Sequence, residues 1–344
     1  MDPERRNFLA TAGAAGALSL VGAGPGAPKR AYATAMHAGG SAASGTTARG
    51  LILACLRKGD ALGLGIKTDR GILDVARAAE VLGILVPMTM DEVIHGRGDG
   101  VALAGLVAKA KELADGTLFH DEGAAELGPA VPDPGKIVCI GLNYRKHAME
   151  IGQPIPTVPI LFNKFNNSIN RHGGEIAVSA EAALQFDYEA ELVVVMGRKA
   201  RNVGEAEALD YVFGYCTGND FTARDLQMRT SQWLLGKSCD GFAPIGPYLV
   251  TADLVPDPNA LGIECRVNGE LRQSSNTADM VFNCRQLISY ISQHITLEPG
   301  DIIFTGTPEG VIIGYPPQKR VWLKKGDRIA TAIEGLGELH FTLT

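Results

Sequence analysis

Phe186-Asp187-Tyr188-Glu189-Ala190-Glu191-Leu192-Val193-Val194-Val195-Met196 is the stretch whose reading settles the character of this chain. Its apolar, β-branched second half predicts a strand over 190–196, and on a strand successive side chains point to opposite faces. Glu189 and Glu191 then share a face with Val193 and Val195, so two carboxylates stand at the end of an apolar stripe. Carboxylates that close raise each other's pKa, and a divalent cation between them removes the conflict. The competing reading is a solvated strand face, which the valines on the same side weaken.

Working outward, short apolar or alternating runs recur between Gly/Pro turns: 137–140, 159–162, 262–267, 301–304, 321–323 and 328–333. That pattern predicts a mostly antiparallel β fold, with helices over 205–211 and 278–294. Leu297-Glu-Pro-Gly-Asp301 and Leu323-Lys-Lys-Gly-Asp327 echo one another, each placing a Gly-Asp turn before a strand. Upstream, strands are expected over 51–55 and 71–75 and helices over 90–94 and 101–113, which makes 51–132 a small N-terminal α/β cap. Pro132-Asp133-Pro134-Gly135 marks a boundary to a domain over 133–344. The fold class is α+β, predominantly β.

Composition removes several functions. With 46% hydrophobic and 20% charged residues in 344, the chain can build a core and is not intrinsically disordered. A net charge of −6 without a basic stripe argues against a nucleic-acid partner. No apolar run reaches the ~18 residues of a spanning helix, so no stable membrane anchor is expected. The six cysteines include no C-x-x-C and no zinc-finger spacing; Cys139, Cys216 and Cys265 sit in apolar runs and read as small buried hydrophobes, so structural disulfides are not expected.

The chain opens Glu4-Arg5-Arg6-Asn7-Phe8-Leu9, continues with a weakly apolar Ala/Gly-rich stretch, and reaches Lys29-Arg30 before Ala31-Tyr32-Ala33. Paired arginines, a mildly hydrophobic segment and an A-x-A end read as a bacterial twin-arginine export signal over 1–33. A flexible linker follows over 34–50. The partner implied is the twin-arginine export machinery and the location the periplasm; without a working signal the protein stays in the cytoplasm.

A third carboxylate comes in Gly218-Asn219-Asp220, where an apolar strand ends. Asp220 reads either as an oxygen ligand aimed into a cleft or as the cap of a helix over 221–230. Asp225 reads as a structural partner. Three carboxylates are hard ligands that favour Mg²⁺, Mn²⁺ or Ca²⁺ over Zn²⁺, and Arg224 and Lys237 are nearby cations for an anionic substrate. In Gly141-Leu-Asn-Tyr-Arg-Lys-His147-Ala-Met-Glu150, His147 and Glu150 are i, i+3 neighbours on one helical face. They read either as a surface pair or as a general base with its orienting carboxylate.

These blocks, with G-K-S-x-D-G-F-A-P-I-G-P at 236–247 and L-E-P-G-D-I-I-F-T-G-T-P-E-G-V at 297–311, resemble the fumarylacetoacetate hydrolase family over about residues 135–344. The resemblance implies a mixed β-sandwich roll, a homodimer and a divalent metal, Mg²⁺ or Mn²⁺ and sometimes Ca²⁺. It implies Glu189, Glu191 and Asp220 as metal ligands and His147 with Glu150 as a water-activating dyad. Lys237 becomes the active-site lysine, Arg224 and Gln227 substrate-side groups, and Gly306 and Thr307 a loop that meets the substrate's oxygens. The implied activity is hydrolytic cleavage of a C–C bond in a small 2,4-dioxo acid of the acylpyruvate type. There the metal acts as a Lewis acid, the dyad activates water and the leaving carbanion departs as a metal-bound enolate. The alternatives are decarboxylation or isomerisation of a 2-oxo acid at the same metal, or a non-catalytic periplasmic protein that binds a dioxo acid. One departure stands out: many relatives carry a Pro-rich segment after the F-x-K strand, whereas Phe162 to His172 here is rich in asparagine, with His172 reading as a loop residue.

Overall fold

In the computed structural model, which describes residues 48–344 apart from residue 180, the Ala190–Met196 strand is buried along its whole length inside a ten-stranded sheet. It pairs antiparallel with Val212–Asn219 on one side and Ile302–Phe304 on the other. Beyond Ile302–Phe304 lie Ile137–Gly141, the one parallel neighbour in this sheet, and the edge strand Ile160–Lys164. Beyond Val212–Asn219 lie Tyr248–Thr251, Ile52–Lys58, Ala61–Thr68, Gly71–Asp74 and Phe119–His120. The strands of residues 51–132 thus share the sheet with the remainder of the chain, through Ile52–Lys58 against Tyr248–Thr251.

The unbroken apolar run of 190–196 follows from cover on both faces. Leu192, Val194 and Met196 enter a core with Ile263, Ile329 and Phe341 of a second sheet. Val193 and Val195 enter another with Leu53, Ile66 and Leu106, part of which comes from the helices Val75–Leu82, Met90–Ile94 and Gly100–Glu112. The second sheet has five strands in the order Glu270–Asn276, Gly262–Val267, Arg328–Ile333, Gly337–Leu343 and Gly174–Ile176, the last pair parallel. A one-residue slip of the central strand would exchange its two faces and carry Glu191 with them, so burial on both sides fixes where the carboxylates point.

Three expected elements differ. Residues 205–211 form no α-helix but a single 3-10 turn, Ala208–Tyr211, because so short a segment gains few helical bonds before the chain enters Val212–Asn219. The late helix begins at Cys284, not 278, where Asn283 and Gln286 form a reciprocal capping box; Thr277–Asp279 is a separate 3-10 turn. Residues 321–323 make no strand: Leu323 forms an isolated bridge to Phe186, itself in a two-residue strand too short to extend the pairing. The six cysteines are free. No helix among the described residues is long and apolar enough to cross a membrane. The export segment expected over 1–33 and the linker up to residue 47 lie outside the described residues.

Candidate active site

The site starts from strand register. Pairing of Ala190 with Asn219 and Glu191 with Gly218 brings the residue after one strand beside the residue before the other. The Asp220 N–H donates to the Glu189 carbonyl at 2.9 Å, and the Glu189 N–H donates to Asn219 Oδ1 at 3.1 Å. Gly218 permits the close packing, since a Cβ there would stand 2.5 Å from Val193 Cγ2. Glu189, Glu191 and Asp220 are all buried, and one carboxylate oxygen from each lies within 4.8 Å of the others, a spacing one cation can bridge. Asp220 caps no helix. The next helix is the single turn Arg224–Gln227, and both Asp220 oxygens are bound by lysines.

Those lysines belong to a buried ionic network. Lys164 Nζ lies 2.5 Å from Asp220 Oδ1, and Lys237 Nζ lies 2.7 Å from both Asp220 Oδ2 and Glu189 Oε2. Arg224 Nη1 reaches Glu189 Oε1 at 2.6 Å, while its Nε reaches Asp187 Oδ2 at 2.9 Å. Burial alone would raise the Glu189 pKa, but Lys237 and Arg224 overcome it and bring the group to about 2. Burial also acts against the charge of Lys237; Asp220 and Glu189 outweigh it and raise its pKa, so the ammonium stays charged. Among the described residues Glu191 has no cation of its own and accepts only the Gly306 N–H, at 2.7 Å. Burial, Asp220 and Glu189 push its pKa well above the carboxylate range. Four carboxylates, counting Asp187, face three cations, and the unmatched one is Glu191. A divalent ion on the three inner carboxylates would supply what this donor set lacks, so the residues fit the group.

Beside the triad, His147 and Glu150 occupy the helix Arg145–Glu150, with His147 Nδ1 3.5 Å from Glu150 Oε2. That contact is long, as catalytic hydrogen bonds often are in free enzymes. Glu150 is fixed from behind, accepting the Gly310 N–H at 3.0 and 3.2 Å on its two oxygens. Gly310 has φ +98°, and a Cβ there would lie 2.2 Å from the Arg272 carbonyl, so the loop requires glycine. Both groups line a cavity of about 670 Å³ together with Glu189, Glu191, Arg224, Gln227, Lys237 and Thr307. Arg224 also lines the cavity, and its Nη2 is buried without a hydrogen-bond partner among the described residues.

Residues 136–344 match the fumarylacetoacetate (FAA) hydrolase C-terminal family. The chain belongs to that family. It is 50% identical over 217 residues to the fumarylacetoacetate hydrolase domain-containing protein 2 homolog of Dictyostelium discoideum, covering 60% of this chain and 70% of that one. It is 40% identical over 285 residues to the oxaloacetate tautomerase YisK of Bacillus subtilis, covering 79% and 92%. Among solved structures it resembles the fumarylacetoacetate hydrolase of psychrophilic Exiguobacterium antarcticum (TM-score 0.69, 32% identity, 86% and 99% covered). It also resembles the fumarylpyruvate hydrolase of Pseudomonas aeruginosa in complex with Mn²⁺ and pyruvate (TM-score 0.56, 34% identity, 64% and 93% covered).

Within this family member, Gly306 donates its N–H to Glu191, and Thr307 lines the cavity and accepts from Gln273 Nε2 at 2.9 Å. Gln227 accepts from Arg224 Nη1 at 3.1 Å. Asp225 accepts the Leu184 N–H at 2.8 Å, and His172, in a loop, meets His340 of the strand Gly337–Leu343 edge to face. Sequence reasoning gave no role to Lys164 or to Asp187. Asp187 accepts the Ile312 and Ile313 N–H groups at 2.9 and 3.1 Å as well as Arg224. The one signal for Lys164 was a lone charge ending an apolar strand. Asp187 had a stronger one, its parity with Glu189 and Glu191 in a single stretch.

Proposed function

We propose that this family member is a divalent-metal-dependent enzyme that hydrolyses the C–C bond of a small acylpyruvate, with Glu189, Glu191 and Asp220 as metal ligands. The observation that carries the reading is a buried carboxylate triad, two of whose members, Glu189 and Glu191, line the same cavity as a histidine beside a fixed carboxylate. Mg²⁺ or Mn²⁺ bound there would supply a Lewis acid for the 2-oxo group. Arg224 Nη2, the orphaned donor, receives a substrate oxygen. His147, with Nδ1–H toward Glu150, has Nε2 free to take a proton from water. The hydroxide adds to the distal acyl carbon, the C–C bond breaks, and its electron pair passes to the methylene carbon, which gains a proton. The products are a carboxylic acid and pyruvate. Lys237 has three N–H donors and commits two to Glu189 and Asp220, leaving one for the developing oxyanion. Its raised pKa makes it a donor, not a base.

A second reading, tautomerisation of a 2-oxo dicarboxylic acid, is favoured by the name of the Bacillus relative and by that of the oxaloacetate tautomerase of Xenopus laevis mitochondria, 47% identical over 212 residues with 61% and 65% covered. There His147 would take its proton from the carbon beside the 2-oxo group. Incubating the protein with Mn²⁺ or Mg²⁺ and acylpyruvates or enol-oxaloacetate decides: a new carboxylic acid marks hydrolysis, and enol loss with no new acid marks tautomerisation. If neither occurs, the catalytic reading fails. We also propose that the chain acts as a homodimer and is exported through Arg5-Arg6; light scattering and the periplasmic yield of an R5K/R6K variant test these points.

A further inference from the structure

The cavity holds one guanidinium that the proposed chemistry does not use. Four cationic or imidazole side chains line it: His147, Arg224, Lys237 and Arg320. Lys237 and Arg224 are committed to the buried carboxylates, and His147 leans on Glu150. Arg320 is different. It is half-buried, its Nε donates to the Tyr315 carbonyl at 2.8 Å, and among the described residues no carboxylate lies within ion-pairing distance of it. Both terminal nitrogens are therefore available in the geometry that grips a carboxylate with two parallel bonds.

Its mounting is stiff. Arg320 follows the 3-10 turn Pro317–Lys319, and the Pro316-Pro317 pair fixes two backbone torsions ahead of it. The same loop passes Glu150 at Gly314, where a Cβ would stand 2.3 Å from Glu150 Cδ, so the loop that carries Arg320 also packs on the dyad. The cavity wall between is largely apolar, with Trp233, Ile313, Tyr315 and Pro316. Arg320 thus shares one cavity of about 670 Å³ with Glu189 and Glu191 of the triad.

We infer that Arg320 binds a second carboxylate at the far end of the substrate, making the preferred substrate class a dicarboxylic 2-oxo or 2,4-dioxo acid. This rests on the triad and dyad being the reacting end, as proposed above. Arg320 is a specificity residue, not a catalytic one.

The test measures binding first and turnover separately. Calorimetry with full-length protein and Mn²⁺ compares 2-oxoadipate with 2-oxohexanoate, which ends in methyl, for wild type, R320M and R320K. A charge-assisted pair predicts that wild type favours the dicarboxylate by roughly ten- to a hundredfold. R320M should bring the ratio close to one, and R320K should restore part of it. A ratio unchanged in R320M, equal weakening of both ligands, or no preference in wild type overturns the inference. Selective binding without turnover of any acylpyruvate would instead sink the proposed activity and leave Arg320 as assigned. Turnover with a preference indifferent to Arg320 would do the reverse.

Discussion

Lys164 and its partner Asp220 are both without solvent exposure in their side chains, so each has given up its hydration and depends on the other. Removing one member of such a pair leaves an uncompensated buried charge, which costs about 3–5 kcal/mol. Lys164→Met is therefore expected to lower the unfolding free energy by that amount, read as a lower urea midpoint at unchanged m, although Lys164 does not line the active-site cavity; an unchanged midpoint would show that Lys237 alone satisfies Asp220. Lys237→Met, which strips a cation from both Glu189 and Asp220, should lose stability for the same reason and activity as well. By removing a donor to the oxyanion it should reduce kcat by about 10²–10³ with a smaller change in KM, and steady-state kinetics separates the two. His172 gives a pH dependence. Burial and His340 push its pKa below 6.5 in the fold, so the unfolded chain holds the proton more tightly. Its contribution to stability is complete above about pH 6.5 and drains as pH falls through the lower folded value. Wild type should thus lose more stability than His172→Gln between pH 7.5 and 5.0, and equal losses in denaturation at the two pH values would contradict this.

The two halves of the active site meet through elements too short to stand alone. Arg224–Gln227 and Leu234–Lys237 are single helical turns packed so closely that a Cβ on Gly236 would lie 2.3 Å from the Gln227 nitrogen and 2.5 Å from the Ala223 carbonyl. Gly236→Ala must push them apart, and with them Arg224 and Lys237. A shift near 1 Å in positioned groups is worth about 10²-fold in rate, so kcat/KM should fall by about that factor while the far-UV spectrum is unchanged; undiminished kcat/KM would mean the turns move as one body. At this scale the sequence was readable where the chemistry is local. In both Gly-Asp turns the aspartate accepts the N–H three residues back, Asp301 from Glu298 at 2.7 Å and Asp327 from Lys324 at 2.8 Å, as their repeated spelling suggested. The Glu189/Glu191 parity survived because it depends on one strand. Asp220 was ambiguous because a helix cap and a strand-end ligand are written with the same residue. Lys164 and Arg320 were silent, since their meaning lies in contacts 56 residues away or across a cavity.

For the molecule as a whole, the triad is a place where folding and ligation compete. Two antiparallel strands buried on both faces force Glu191 against Asp220 and Glu189, with three cations already assigned elsewhere in the network. The sheet is held by its two cores, so the fold carries this repulsion instead of relieving it by moving a strand. A cation that binds only the folded state stabilises it by mass action, about 2.7 kcal/mol at a hundred times Kd. Mn²⁺ is therefore expected to raise the melting temperature by several degrees, and chelation to reverse the rise. Glu191→Gln separates the two contributions, since the amide keeps the shape and an acceptor for the Gly306 N–H but cannot take the charge that burial, Asp220 and Glu189 oppose. In chelator the variant should melt at or above wild type, and with Mn²⁺ it should melt below wild type, the order crossing as metal is added. Parallel melting curves at every metal concentration would mean that Glu191 neither strains the fold nor holds the ion.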